Sequence, residues 1–118
     1  MRRPTYLYNC SSIIDFNALV DSFNTMVDET FYKNSDPVDI KDHAGRGVEI
    51  RKRVYNHDVC GVSITIMLNG DVRITIYRAG QDDMQFVGDA AFEQRMENAS
   101  WYVRAQLEHI RNWCKNQF

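Results

Sequence analysis

The stretch from Val62 to Ala79, VSITIMLNGDVRITIYRA, decides the fold of this chain. Branched apolar and polar residues alternate through both of its halves, and Leu68-Asn69-Gly70 stands between them. Alternation around an Asn-Gly pair is typical of a β-hairpin with one buried face and one polar face. We therefore predict two antiparallel strands at the centre of the fold.

The length of the hairpin loop follows from side-chain parity. Side chains on a strand alternate between the two faces of a sheet, so a shift of one residue turns one strand over. A two-residue loop would put the two apolar rows on opposite faces, whereas the three-residue loop Leu68-Asn69-Gly70 puts them on the same face. The three-residue loop predicts three apolar pairs, namely Val62 with Ile76, Ile64 with Ile74, and Ile66 with Val72.

One helix is predicted before the hairpin and another after it. The first begins after Ser12, a residue type that is common at helix N-caps, and ends near Asn34. The second is capped by Asp89 and runs as one long helix to about Asn116. In both, apolar residues recur at steps of three and four. They are Ile13, Phe16, Val20, Phe23, Val27 and Phe31 in the first, and Phe92, Met96, Ala99, Val103, Leu107, Ile110 and Cys114 in the second.

Further strands are predicted at 48–55 and, in shorter form, at 5–8 and 84–87. Lys52 falls on the apolar side of the strand at 48–55, and because inward-pointing lysines are found on edge strands, we place this strand at an edge. Residues 35–47 are predicted to be irregular. The predicted fold class is α+β in the order (β)-α-β-β-β-α, with a three- to four-stranded antiparallel sheet, a central hairpin and two helices packed on one face.

Length and composition predict one globular domain over residues 1–118. Hydrophobic residues make up 44% of the chain and charged residues 25%, which is ordinary for a globular protein. The net charge of −2 gives no general attraction to nucleic acid, and three widely spaced cysteines favour a reducing compartment. No signal peptide or membrane-spanning run is recognised, so we expect a cytoplasmic protein that does not bind membranes.

Trp101 is the first candidate for a functional residue. On a continuous helix it lies opposite the apolar stripe, on a charged face, where tryptophan is a frequent anchor of protein interfaces. A helix break near Asn98-Ser100 would instead rotate Trp101 into the core, or a packed loop would cover it. The predicted partner-binding residues, for a protein partner or for self-association, are Trp101, Tyr102, Glu97, Arg104, Glu108 and Trp113.

The outer face of the sheet is the second candidate site. Arginines contact phosphates and aromatic rings stack on bases, so a face that carries both suits RNA or single-stranded DNA. The residues concerned are Arg51, Arg53, Arg73, Tyr55 and Tyr77. Glu49 and Asp71 lie on the same face and oppose binding. The order of elements is similar to that of the double-stranded-RNA-binding domain, but that family has a lysine-rich start to its last helix, whereas residues 89–93 are acidic, and we infer no membership.

No metal, cofactor or catalytic site is predicted. The segment 36–43 holds three aspartates and a histidine, but their spacing is not that of a calcium-binding loop. His57-Asp58 near Cys60 is first of all a turn, and Cys60 is expected to face the core, where a thiol is inert. We therefore expect no enzymatic activity.

The sequence as a whole predicts a small non-catalytic protein that binds a protein partner. Inhibitors, immunity-type or antitoxin-type proteins and modulators encoded by a phage or virus share this profile. The alternatives are binding of RNA or single-stranded DNA through the outer sheet face, and a structural role in a virion or another assembly.

Overall fold

The computed structural model describes residues 13–67, 72–80, 82–86, 94 and 96–117. The helices are α1 (Ile13–Thr30) and α2 (Trp101–Gln117), and the strands are β1 (Asp39–Asp42), β2 (Gly47–Arg53), β3 (Val59–Met67), β4 (Val72–Arg78) and β5 (Met84–Phe86). The five strands form one antiparallel sheet in the order β1-β2-β3-β4-β5. The predicted α+β class is confirmed. The strand predicted at 5–8, the N-cap at Ser12, the hairpin loop at 68–70 and the helix start at Asp89 lie outside the described residues.

The predicted register of the central hairpin is confirmed. Strand β3 pairs with β4 through Val62 and Ile76, Ile64 and Ile74, and Ile66 and Val72. Val62, Ile64 and Ile76 are completely buried, and Ile66 and Ile74 pack against the edge of the core. Parity therefore identified the face of the sheet that is buried.

Both helices pack on this buried face, and they run antiparallel to each other. Trp113 of α2 contacts α1 through the ring of Phe23, with centroids 5.9 Å apart, and donates a hydrogen bond from Nε1 to Oγ of Ser22 at 2.8 Å. One turn before Trp113 in α2, His109 lies 3.6 Å from Glu29 of α1. Among the described side chains of the two helices, the buried apolar ones are Phe16, Phe23, Met26, Val27, Leu107 and Ile110.

Strand β2 lies inside the sheet, so the prediction that it forms an edge is wrong. Strand β1 pairs with it, with Ile40 opposite Ile50. The turn between the two strands places Ala44 and Gly45 at φ values of 55° and 80°, in the left-handed region used by tight hairpins. The prediction missed β1 because three of its four residues are charged and exposed, so no apolar alternation marks it.

Lys52, the lysine that indicated an edge strand, is buried because α1 neutralises it. Its side chain is 3% exposed, and Nζ donates hydrogen bonds to Oδ1 of Asp28 at 2.5 Å and to the side chain of Asn24. Ser35 donates to the same oxygen of Asp28 at 2.6 Å. The hydrogen bonds from Lys52 and Ser35 hold the pKa of Asp28 below its ordinary value of 3.8. A buried charge is tolerated when a partner and hydrogen bonds compensate it, so this contact fixes α1 on the sheet.

The last helix is interrupted, contrary to the prediction of one continuous helix. Residues 94, 96 and 97 are helical, the chain turns at Asn98-Ser100, and α2 begins at Trp101. The carbonyl of Ser100 accepts a hydrogen bond from the backbone N–H of Arg104 at 2.8 Å, and Oγ of Ser100 lies 3.4 Å from the nitrogen of Val103. Ser100 is therefore the N-cap of α2. The sequence did not reveal the break, because apolar residues recur at helical spacing on both sides of it.

Asp28→Asn should lower the free energy of unfolding by about 3 kcal/mol at neutral pH, because it leaves the buried charge of Lys52 without a counter-ion. Lys52→Met is the matched variant, since it removes the charge and keeps an apolar chain of similar length, and it should cost much less. Urea titrations of the two variants and the wild type measure the difference. Equal losses in both variants would contradict the role given to the ion pair.

The same carboxylate should make stability depend on pH. Because the pKa of Asp28 is lower in the folded protein than its ordinary value of 3.8, its contribution is present above that value and is lost as pH falls through the folded-state pKa. The urea midpoint of the wild type should therefore fall more steeply than that of Asp28→Asn below about pH 4. Parallel pH curves for the two proteins would show that the contact does not stabilise the fold.

Candidate functional site

Exposed aromatic side chains gather where α1 ends and α2 begins. Tyr32 and Trp101 are each 81% exposed, and Tyr102 is 38% exposed. The rings of Trp101 and Tyr102 meet edge to face, with centroids 6.0 Å apart. We refer to Tyr32, Trp101 and Tyr102 as the aromatic patch. A helix break near Asn98-Ser100 is present, but it does not bury Trp101, which stands at the first position of α2 and is exposed.

Tyr32, which is exposed, lies in an unusual backbone conformation just after α1. Helix α1 ends at Thr30, earlier than predicted, and Tyr32 and Lys33 have φ values of 56° and 61°. The backbone N–H of Lys33 donates to the carbonyl of Asp28 at 2.7 Å and closes the helix. A non-glycine residue in the left-handed region costs on the order of 1 kcal/mol. The chain thus keeps two large side chains at positions that favour glycine.

Two adjoining cavities lie along the helix pair, the first of them at the aromatic patch. The first has a volume of about 350 Å³ and is lined by residues of both helices and by Tyr32: Glu29, Thr30, Tyr32, Trp101, Tyr102, Ala105, Gln106 and His109. A second cavity of about 510 Å³ shares Glu29 and His109 with the first and extends to Asn116. We call the two together the interhelical groove. From Trp101 to Asn116 it spans roughly 22 Å at the helical rise per residue.

Gln106 is a buried polar residue of the groove that the sequence did not reveal. It is 6% exposed, and within the described part of the chain neither Oε1 nor Nε2 has a hydrogen-bond partner. Leaving a buried polar group unpaired costs about 1–3 kcal/mol, so such groups are rare. The one available signal was its position three residues after Val103, beside the apolar stripe of the last helix.

The other predicted partner-binding residues differ in whether contacts within the chain hold their side chains. Arg104 donates from Nε to the carbonyl of Met96 at 3.1 Å and from Nη2 to that of Glu97 at 3.2 Å, and so closes the preceding helical turn. Trp113 is held in the contact between the helices, as described above. The side chains of Glu97 and Glu108 are exposed. Trp101 and Tyr102 are therefore the members of the predicted set that form the aromatic patch.

The outer face of the sheet carries side chains that bind one another. Tyr77 donates a hydrogen bond from Oη to Glu49 at 3.0 Å, and the same oxygen lies 3.3 Å from Oγ of the completely buried Ser63. The guanidinium of Arg51 lies over the ring of Tyr77, 4.2 Å from its centroid. Burial, together with the acceptor Glu49, raises the pKa of Tyr77 above its ordinary value of 10. Both the ring and the hydroxyl of Tyr77 therefore already contact other side chains of this protein.

Tyr55 likewise contacts other side chains of this protein through its hydroxyl and its ring. Its hydroxyl lies 2.9 Å from both carboxylate oxygens of Asp36, and the guanidinium of Arg53 lies 5.5 Å from its ring centroid. The hydrogen bond to Asp36 raises the pKa of Tyr55. Arg73 is exposed. Four of the five residues predicted to bind nucleic acid thus form two internal Arg–Tyr pairs.

Cys60, His57 and Asp58, which suggested cysteine chemistry, do not line one cavity, whereas Cys60 shares a cavity with Asp36 and Asp39 of the segment 36–43. Cys60 lines a surface cavity of about 480 Å³ and does not face the core, because an irregularity between Val59 and Gly61 changes its parity. Asp58 lines a different cavity, and His57 is exposed. In the part of the chain that the structure describes, no group of three or more His, Cys, Asp or Glu side chains is placed to hold a metal ion.

Comparison with known protein families, with curated proteins and with solved structures found no match. Neither described helix has both the length and the apolar character needed to cross a bilayer. Function is therefore inferred from the geometry of this chain alone.

Tyr77→Phe should lower the free energy of unfolding by about 1–2 kcal/mol, because it leaves Glu49 and the buried hydroxyl of Ser63 without their shared partner. Tyr55→Phe is the matched control, and because Tyr55 is 51% exposed its loss should be smaller. Urea unfolding of both variants gives the comparison. A Tyr77→Phe protein as stable as the wild type would show that the network does not stabilise the outer face.

Proposed function

We propose that this protein is a non-catalytic binding module that occupies the surface of a protein partner through the aromatic patch and the interhelical groove. The observation that carries the proposal is the exposure of Tyr32 and Trp101, each 81%, at the mouth of a groove. Large aromatic side chains contribute most of the binding energy in many interfaces when a partner buries them. Exposed together beside a groove, they are typical of an interface centre without its partner.

The charges around the groove favour a protein over nucleic acid. Nucleic-acid binding requires lysine or arginine to contact phosphates. No described residue that lines the aromatic end of the groove is a lysine or an arginine. The carboxylate of Glu29 and the imidazole of His109 lie 3.6 Å apart and face each other. The outer sheet face has arginines, but Tyr55 and Tyr77 already contact two of them.

The backbone at Tyr32 also supports a binding role. A left-handed conformation at a bulky residue is unfavourable, and such positions are concentrated at functional sites. At Tyr32 the conformation places an exposed ring in the wall of the groove. Glycine would relieve the strain but would remove the ring.

The groove has the dimensions of a secondary-structure element. A span of roughly 22 Å corresponds to about four helical turns or to about six or seven residues of extended chain. A small molecule would occupy only part of it. A segment of a protein, from another protein or from a second copy of this chain, is therefore the proposed occupant.

Several kinds of protein act through such contacts. Inhibitors, immunity-type or antitoxin-type proteins and modulators encoded by a phage or virus block a partner's surface, and components of a virion or another assembly join neighbours in the same way. We propose the first, blocking role for this chain, with assembly as the second.

Trp101→Ala should weaken partner binding about 30-fold, which corresponds to the ~2 kcal/mol of an interface hot spot. Its midpoint of urea unfolding should remain unchanged, because the side chain is exposed. The matched control is Tyr55→Ala, an exposed aromatic residue outside the groove. Affinity capture from the native host with the three proteins, quantified by mass spectrometry, measures binding, and light scattering measures self-association.

Two results would contradict the proposal. One is capture and oligomeric state that are the same in Trp101→Ala and the wild type. The other is a large loss of stability in Trp101→Ala, which would place the side chain in the core. Salt-sensitive binding of RNA that is lost on neutralising Arg51 and Arg53 would instead favour the outer sheet face.

A further inference from the structure

We propose that the carboxamide of Gln106 is the hydrogen-bonding point of the interhelical groove and that it binds a planar amide group of the partner, either a main-chain peptide group or an Asn or Gln side chain. This inference rests on the proposed protein-binding function and specifies the chemistry that the partner presents.

The first observation is that Gln106 differs from the buried polar residues Thr30, Lys52 and Ser63. Thr30 donates to the carbonyl of Met26 at 2.7 Å, Lys52 is bound by Asp28, and Ser63 lies 3.3 Å from the hydroxyl of Tyr77. Gln106 is buried to a similar degree, at 6% exposure, yet both its amide oxygen and its amide nitrogen lack a partner among the described residues. Both a donor and an acceptor are therefore left for a ligand to satisfy.

The second observation is the shape of the surroundings. A primary carboxamide presents an acceptor and two donors in one plane. A peptide group or another carboxamide offers the complementary acceptor and donor, also in one plane. Tyr32, Trp101 and Tyr102 line the same part of the groove, and flat aromatic rings suit a flat group. An adenine base offers a similar donor and acceptor pair, but the absence of cations among the described lining residues leaves its phosphates without partners.

Access to Gln106 requires movement of the groove wall. In the free protein the amide atoms are closed to solvent. Opening a path to them requires a rearrangement of the side chains that line this part of the groove, among which Tyr32 and Trp101 are each 81% exposed. Exposed side chains change rotamer within nanoseconds. Binding at Gln106 is therefore coupled to a rearrangement of the groove wall.

The test uses a single secondary amide as the probe. N-methyl-2-phenylacetamide carries one peptide-like group and one ring, and its matched control, methyl phenylacetate, has the same shape but lacks the N–H. NMR titration of the ¹⁵N-labelled full chain follows the side-chain NH₂ of Gln106 and the indole N–H of Trp101. We expect the amide to shift both signals and to bind several-fold more tightly than the ester. In Gln106→Met the two probes should bind equally, and the urea midpoint should not fall.

Several outcomes would overturn the inference. Equal binding of amide and ester to the wild type, or no binding of either, would show that Gln106 does not recognise an amide. A lower urea midpoint in Gln106→Met would show that the amide already has a partner within the chain. Adenosine that shifts the Gln106 signals more strongly than the amide probe would indicate a nucleobase site.

Partner capture with the two variants distinguishes a failure of amide recognition from a failure of the proposed function. If Trp101→Ala loses the captured partner while Gln106→Met keeps full affinity, the binding module stands and amide recognition is wrong. If neither substitution affects the captured partner, the proposed function itself is wrong.

Discussion

The contact between Lys52 and Asp28 holds the helical layer against the sheet, and the position of the candidate site depends on it. A lysine that is 3% exposed requires a counter-charge, and Asp28 supplies it from α1. The same carboxylate accepts a hydrogen bond from Ser35, so it also closes the chain reversal in which Tyr32 lies. One carboxylate therefore fixes the helix, the sheet and the end of the loop that carries an exposed ring of the aromatic patch.

The two exposed faces of the molecule differ in how well their polar and aromatic groups are satisfied. On the outer sheet face, Arg51 lies over Tyr77 and the tyrosine hydroxyl is bound by Glu49 and Ser63. In the interhelical groove, aromatic rings remain in water and Gln106 is buried without a described partner. Binding a partner to the sheet would break existing contacts, whereas binding one in the groove would satisfy groups that are unsatisfied. This difference favours the groove.

The sequence was sufficient for features that depend on strict local patterns. The hairpin register followed from alternation and parity, and the buried stripe of α1 from helical spacing. Strand β1 was missed because its residues are charged, and the edge assignment of β2 failed because Lys52 is compensated by a helix residue 24 positions away. Trp101 could be singled out from its helical position, although the helix breaks beside it. Tyr32 and Gln106 could not be, because a left-handed φ and an unpaired amide arise only from tertiary structure.

Hydrogen exchange of backbone amides, measured with and without the captured partner, distinguishes the two faces most directly. We predict that the partner slows exchange in residues 29–34 and 101–109, where α1 ends and α2 begins, and leaves β2, β3 and β4 unchanged. Protection confined to β2, β3 and β4, with no change around Trp101, would contradict the assignment of the groove as the binding surface.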